Sequence, residues 1–404
     1  MKEWVGRMQA HELSQRFEWL DRLLAQSRQW WQVRPFHHRD YCWAQIHPDL
    51  CQALDALEEA ELHRLQGDIA AASRWLSPWL EGVEELQRLS VLPRLTARQL
   101  SPPERLDHGI PGRKWQQILA FAGCIGNGSG PLLEWCAGKG HLGRLISSVQ
   151  RRPVTSLEWQ AQLCRKGEAL ADRRGVSMRF VHCDAFSEQA GQWVRRGEHA
   201  VALHACGDLH TTLMRHWRAN QGASLTISPC CYHVIRTDDF VPMSQAGEVA
   251  RVKLAREDLH LPLQETVTAG AGVRRLRERE LHWRMAFDEL QRELRGQDRY
   301  LPVPNVRKGL LKEGFPAFAS WAAARKRLDL LGEVDEEKWL ALGWQRLQRV
   351  RRMELVTHVF RRPLELWLVL DRALYLQEGG ARVQLGEFCD REITPRNILI
   401  TAER

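Results

Sequence analysis

The sequence predicts an α/β protein built on a mostly parallel sheet with helices on both faces. Three observations predict it. Short apolar runs alternate with amphipathic helices from residue 113 to about 240. The first run, LLEWCA, breaks into the glycine turn GKGHLG and then a helix, the strand–turn–helix order of a doubly wound sheet. The chain closes on a long helix followed by two more strand-like runs.

Taken in order, residues 1–106 read as a helical N-terminal region. LSQRFEWLDRLLAQSRQWW and CQALDALEEAELHRLQGDIAAASRWL carry apolar residues at i, i+3 and i+4, separated by the turn-like RPFHHRDY. The Pro- and Gly-rich LPRLTARQLSPPERLDHGIPG marks the boundary. Residues 107–240 then supply the helix RKWQQILAFAGCI and five strands: LLEWCA, VTSLEW, MRFVHCDA, AVALHACGD and SLTISPCCYH. The helices GHLGRLISSVQ, QAQLCRKGEALADRR and LHTTLMRHWRA and a short one near 187–196 lie between them. Residues 241–350 break the alternation with charged amphipathic helix and read as a basic insertion after the fifth strand. Residues 351–404 return a helix, MELVTHVFRRPLELWLVLDRALYLQE, and the strand pair ARVQLGEF and NILITAE, which complete a seven-stranded sheet.

Bulk properties narrow the class. The 404 residues are 44% hydrophobic and 27% charged, ordinary for a globular protein. No run of about 18 apolar residues is present, which argues against a membrane span, and the start has no apolar core of a secretory signal. Ten irregularly spaced cysteines fit a reducing compartment, the cytoplasm, better than a disulfide scaffold. A net charge of +8 and a pI near 9.1 permit a nucleic-acid partner without establishing one.

The turn Gly138-x-Gly140-x-x-Gly143, with Glu158 ending the next strand, also fits a nicotinamide dinucleotide site. The discriminating residue is Glu134, near the end of the first strand. A carboxylate there repels a pyrophosphate but favours a cation, and S-adenosylmethionine carries both an ammonium and a sulfonium group. Glu158 then pairs with the ribose hydroxyls, and Asp184, in HCDAF, with the adenine amino group. Each acid alone also fits a solvated strand end or a helix cap; three at successive strand ends favour the sulfonium cofactor.

With these residues assembled, the chain resembles the class I methyltransferases, with their Rossmann-like seven-stranded sheet. More narrowly it resembles the family of the ribosomal RNA adenine dimethylase domain-containing proteins and the methyltransferase half of the glutathione S-transferase C-terminal domain-containing protein. It is more distantly similar to tRNA 2′-O-methyltransferases of the acceptor stem. The motifs are EWCAGKGHLG, LHACGDLH, SPCCYH, LDRALYLQE and ITPRN, covering roughly 107–240 and 355–404. One departure stands out: Cys136 occupies the family's usual first glycine. The expected cofactor set is Glu134, Cys136, Gly138, Gly140, Glu158, Asp184 and His204.

At the methyl-donating end, HACGD and SPCCYH should lie side by side. Asp208 or His233 is a candidate general base, and Cys230 or Cys231 a candidate nucleophile for addition to a pyrimidine ring. Cys206 reads as a buried, inert thiol. No metal is expected, because the adjacent Cys230 and Cys231 cannot form a chelating C-x-x-C turn. The Asn/Asp-Pro-Pro-aromatic loop of base-amine methylation is absent, and SPCCY resembles it only loosely. Orientation of two bound reactants supplies much of the rate in any case.

Candidate substrate contacts are Arg113 and Lys114, opening the helix before the first strand, with Tyr232, Arg396 and Asn397. The basic clusters VRRLRER, RKG, ARKR and RLQRVRR of the insertion either face solvent with acidic partners or meet phosphates. Trp283, Trp321, Trp339 and Trp344 either pack helices or stack bases. These readings converge on a methyltransferase acting on tRNA or rRNA. The alternatives are a protein substrate associated with the ribosome or translation, a silent cofactor-fold binding module and, last, a nicotinamide oxidoreductase.

Overall fold

The computed structural model describes residues 10–126, 128, 130–265, 271–330 and 332–404. These fall into two compact units, one formed by 1–25, 88–267 and 361–404 and the other by 26–87 and 268–360. The division departs from the expected segments. The N-terminal segment 26–87 and most of the insertion share one unit, because helical surfaces separated by about two hundred residues of sequence bury one another, whereas the helix Ala10–Gln26 falls almost wholly in the unit of the sheet. Residues 241–267 remain with the sheet. Among the described residues, no helix is long and apolar enough to cross a membrane.

The first unit is built on a seven-stranded sheet of order β3-β2-β1-β4-β5-β7-β6. Its strands are β1 (Leu132–Trp135), β2 (Val154–Glu158), β3 (Met178–His182), β4 (His199–Leu203), β5 (Ser224–Ser228), β6 (Arg382–Glu387) and β7 (Ile398–Glu403). β1 to β5 are parallel, whereas β7 pairs antiparallel with both β5 and β6. The sheet expected from the sequence is therefore present, including its terminal strand pair. β1 and β2 are buried at every position, as strands covered on both faces must be. On one side Phe121, Ile118, Leu132, Leu145, Ile146 and Phe388 form the core.

Strand order reverses between β1 and β4, which lie on either side of the first glycine turn. Ligands of open parallel sheets bind beyond the carboxyl ends of the strands at such a reversal. The expected cofactor residues all come from this edge or the loops leaving it.

The helix Arg361–Glu378 explains two of the motifs. Asp371 is fully buried and accepts hydrogen bonds from the Met243 and Ser244 amides and the Ser244 hydroxyl. Arg372, next to it, donates to His210 Nε2 at 2.8 Å and lies over the Tyr232 ring. These residues of LDRALYLQE fasten the chain that leaves β5.

The second unit packs the helices Ala271–Arg295 and Glu336–His358 together. Gly343 permits the close approach, since a Cβ there would meet the Ala286 backbone nitrogen at 2.5 Å. Trp283, Phe287, Phe315, Phe318 and Trp339 fill its core.

Candidate cofactor and methyl-transfer site

The turn after β1 is shaped by positive φ angles at Cys136 (+56°), Gly138 (+60°) and Gly140 (+64°). At Gly140 a side chain would strike Met178 and Phe180 within 2.6 Å, whereas the space beside Gly138 is open to 4 Å. Cys136 thus holds a conformation that costs little only for glycine, and the strain sits on the turn itself.

The three acids are placed differently from one another. Glu134 is 4% exposed, packed against the helix that follows the turn. Ser156 Oγ donates to its Oε2 at 2.8 Å, and the Gly143 backbone N–H also binds it. Burial pushes its carboxyl up to about 7, opposed by those two hydrogen bonds and by the charges of Arg144 and Lys114.

Glu158 accepts from Gly138 N through Oε2 and from Gln160 N through Oε1, both at 2.9 Å. Each oxygen keeps one further lone pair, enough for two hydroxyl donors. Asp184 is exposed, and its Oδ1 accepts from Phe186 N at 2.9 Å. Trp159 and Phe186, one and two residues beyond the second and third acids, expose 65% and 37% of their surface. Sequence reasoning missed this aromatic pair, whose signal was a large apolar residue closely following each strand-end acid.

A row of acids on an open glycine turn, with exposed aromatic faces and the Lys114 cation acting on Glu134, suits a ligand with a hydroxylated ring, a flat base and a zwitterionic tail. S-adenosylmethionine has that chemistry, so the residues present fit the expected cofactor. His204, at φ +71°, is exposed and pairs through Nε2 with Gln117 Oε1 at 3.0 Å.

At the ends of β4 and β5 two loops are pinned together. Gly207 N donates to Cys230 O at 3.1 Å, and Asp208 N to Val234 O at 2.9 Å. Gly207 is required there, since a Cβ would overlap Val234 O at 1.9 Å. Asp208 Oδ2 accepts from Arg236 N at 2.7 Å, so this carboxylate oxygen fixes the loop. The His233 ring lies 4.2 Å from the His260 ring, tilted by 33°, and its buried Nδ1 has no partner among the described residues.

The pinned loops bring three thiols together. The Cys206 and Cys230 Sγ atoms are 3.8 Å apart, and those of Cys206, Cys230 and Cys231 all lie within 4.8 Å of one another. Cys206 is half-buried and takes part in this cluster rather than standing alone. Hydrogen bonds from Cys206 and Cys230, aided by the charges of His233 and Arg396, hold the Cys231 thiol below its ordinary range. The same network pushes Cys230 up.

The substrate expectations fare unevenly. Arg113 and Lys114 are exposed at the start of the helix Gly112–Gly123. Arg396 donates both terminal nitrogens to backbone carbonyls, of Glu265 at 2.6 Å and Leu263 at 2.5 Å. Tyr232 and Asn397 are fully buried and correct the sequence reading. The Tyr232 hydroxyl bonds Glu365, and the Asn397 amide bridges Cys389 O and Arg362. Their aromatic and amide groups satisfy the interior, where no substrate reaches them.

In the second unit the basic clusters also separate. Arg346 is buried against Asp288 and Glu289, Arg351 pairs with Glu278, and Arg352 donates to Leu54 O and Leu57 O. RLQRVRR is thus largely an internal clamp. Arg274, Arg275, Arg277 and Arg279 of VRRLRER are exposed. Arg275, Glu278, Arg279, His282, Trp283 and Trp344 line a cavity of about 350 Å³. Of the four tryptophans of the insertion named above, Trp344 is the exposed one, at 38%.

Residues 113–238 match a family model described as a methyltransferase domain. Among solved structures, a chain from a study of the conversion of a disulfide into a thioacetal during echinomycin biosynthesis is similar at 18% identity and TM-score 0.24, over 32% of this chain and 52% of that one. A chain of a fibrillarin/Nop5p complex matches at 13% identity and TM-score 0.23, over 26% and 51%. The glycopeptide N-methyltransferase MtfA, complexed with S-adenosyl-L-methionine, matches at 18% and 0.22, over 35% and 64%. The chain thus spans about half to two thirds of the length of these relatives. Residues 113–238 are thus similar to a methyltransferase domain.

Proposed function

We propose that the whole protein is an S-adenosyl-L-methionine-dependent methyltransferase of RNA, with tRNA or rRNA as substrate. The observation that carries the reading is a cavity lined by Arg275, Arg279 and the exposed indole of Trp344, with Arg274 and Arg277 exposed on the same helix. Guanidinium groups bind phosphates bidentately, and an indole face stacks an unpaired base. The narrower resemblance of EWCAGKGHLG, LHACGDLH and SPCCYH to the rRNA adenine dimethylase domain-containing family supports the same substrate class. Ten free cysteines fit the cytoplasm as its place of work.

The bound donor supplies a methyl group on a sulfonium, open to in-line displacement. The protein's own groups do the rest. Glu158 and Asp184 would accept from the ribose and adenine ends, and the exposed Trp159 and Phe186 would offer apolar surface to the base. Glu134 acts through the turn as a positioning residue. Asp208, through its second oxygen, takes the proton that an attacking hydroxyl or amine releases.

The test is binding of tRNA and rRNA fragments across a salt series. Each phosphate that the protein no longer neutralises should flatten the slope of log K against log salt by about one. Arg275→Ala with Arg279→Ala should therefore weaken RNA binding and flatten that slope by about two. A flat profile in the parent protein favours a protein substrate instead. Nucleoside mass spectrometry of cells lacking the gene should then show one missing methylated nucleoside.

A further inference from the structure

The thiol cluster at the ends of β4 and β5 is larger than methyl transfer requires. Cys206 comes from the loop after β4, Cys230 and Cys231 from the loop after β5, and all three Sγ atoms lie within 4.8 Å of one another. Two thiolates bound at about 2.3 Å to one tetrahedral Zn²⁺ stand about 3.8 Å apart. The Cys206–Cys230 separation is 3.8 Å. A disulfide requires about 2.05 Å.

The adjacency of Cys230 and Cys231 rules out only a chelating turn within one loop. The parallel register of β4 and β5 supplies the third ligand from the neighbouring loop. The backbone is committed to this placement, because Gly207 N donates to Cys230 O and Cys231 itself sits at φ +48°. Strain in a non-glycine residue persists where the surroundings over-determine it. We propose that Cys206, Cys230 and Cys231 bind one Zn²⁺ ion through three thiolates, with the fourth coordination position open.

Three soft donors without a carboxylate select zinc over magnesium or calcium. Cys206 and Cys231 are only half-buried, so the fourth position is reachable from solvent. Three protein ligands with one open position is the pattern of reactive rather than closed structural zinc sites. Binding releases the remaining thiol protons to solvent, so occupancy rises with pH. The site does not depend on which molecule accepts the methyl group.

The test is zinc content of the full-length protein, purified under reducing conditions from zinc-supplemented medium. One zinc per chain is expected. Cys206→Ser and Cys231→Ser should each reduce it at least tenfold, while Cys42→Ser in the other unit keeps it. Circular dichroism checks that each variant is folded. Should a serine variant fail to fold, the chelated parent titrated with Co²⁺ should still develop the thiolate charge-transfer and tetrahedral ligand-field bands of a cobalt–sulfur site. Three results would overturn the proposal: a parent without zinc and without cobalt bands, zinc retained in the Cys206→Ser/Cys231→Ser double variant, or a Cys206–Cys230 disulfide in the reduced preparation.

Discussion

Two charged regions of the molecule look alike in sequence and differ in use. The edge beyond β1, β2 and β3 carries Glu134, Glu158 and Asp184. The helix pair Ala271–Arg295 and Glu336–His358 carries Asp288, Arg292 and Arg346. In the helix pair the charges satisfy one another. Asp288 is 1% exposed and meets Arg292 Nε at 2.9 Å, Arg346 at 3.0 Å and the Leu301 amide at 3.3 Å. At the sheet edge no guanidinium among the described residues closes on Glu158 or Asp184; backbone amides donate to both, and acceptor capacity is left over. A charged residue is available to a ligand only where the protein has not already supplied its counter-ion.

That contrast predicts different losses from similar substitutions. The largest is Asp288→Ala, which removes the buried carboxylate shared by Arg292 and Arg346 and leaves them only Asp298 and Glu289 as acidic partners. Breaking such a pair costs about 3–5 kcal/mol, read as a lower melting temperature and an earlier denaturant midpoint. A loss under about 1 kcal/mol, the scale of a solvent-exposed ion pair, would mean that these arginines rearrange to water, and the contrast would fail.

Glu158→Ala should act on binding more than on stability. Charge-assisted hydrogen bonds contribute about 1.5–3 kcal/mol each, so calorimetry should show S-adenosylmethionine affinity falling on the order of 100-fold. Asp184→Ala, removing one exposed acceptor, should cost on the order of tenfold. Unchanged affinity in both would remove the acids from the cofactor site.

The same contrast explains what the sequence revealed. Strands and strand-end acids were legible because each is written locally: an apolar run, an acid at its end, a glycine turn behind it. The seven-stranded sheet and Glu158 followed from that grammar. Partnerships across the chain were not. Asn397 reads as a substrate contact until Arg362 is found 35 positions away to occupy its amide oxygen. RLQRVRR reads either as a solvated helix face or as a phosphate-binding run until Asp288 closes on Arg346. Cys206 reads as inert until strand register sets it beside Cys230. Tyr232 was misread through its neighbours in SPCCYH, although its own position buries it under Arg372.

Glu134 shares a feature with each region, buried like Asp288 yet with no guanidinium bonded to it among the described residues, and it gives the most diagnostic effect. Burial raises its carboxyl from 4.5 to about 7. A raised folded-state value means that the unliganded protein gains stability from the neutral form, fully present below about pH 4.5 and lost as pH rises through 7. The shift corresponds to a cost on the order of 3 kcal/mol for keeping the charge buried at higher pH. A cationic ligand reverses the preference, since it stabilises the ionised form. Affinity for S-adenosylmethionine should therefore fall as pH drops below 7, by up to tenfold per unit once the carboxyl is mostly protonated. The neutral analogue S-adenosylhomocysteine lacks the sulfonium charge and should show a shallower dependence. Glu134→Gln should flatten both profiles and raise the melting temperature of the unliganded protein at pH 8. Parallel pH profiles for the two ligands, unchanged in Glu134→Gln, would show that this carboxyl supports the turn by shape alone and contributes no field to the cofactor.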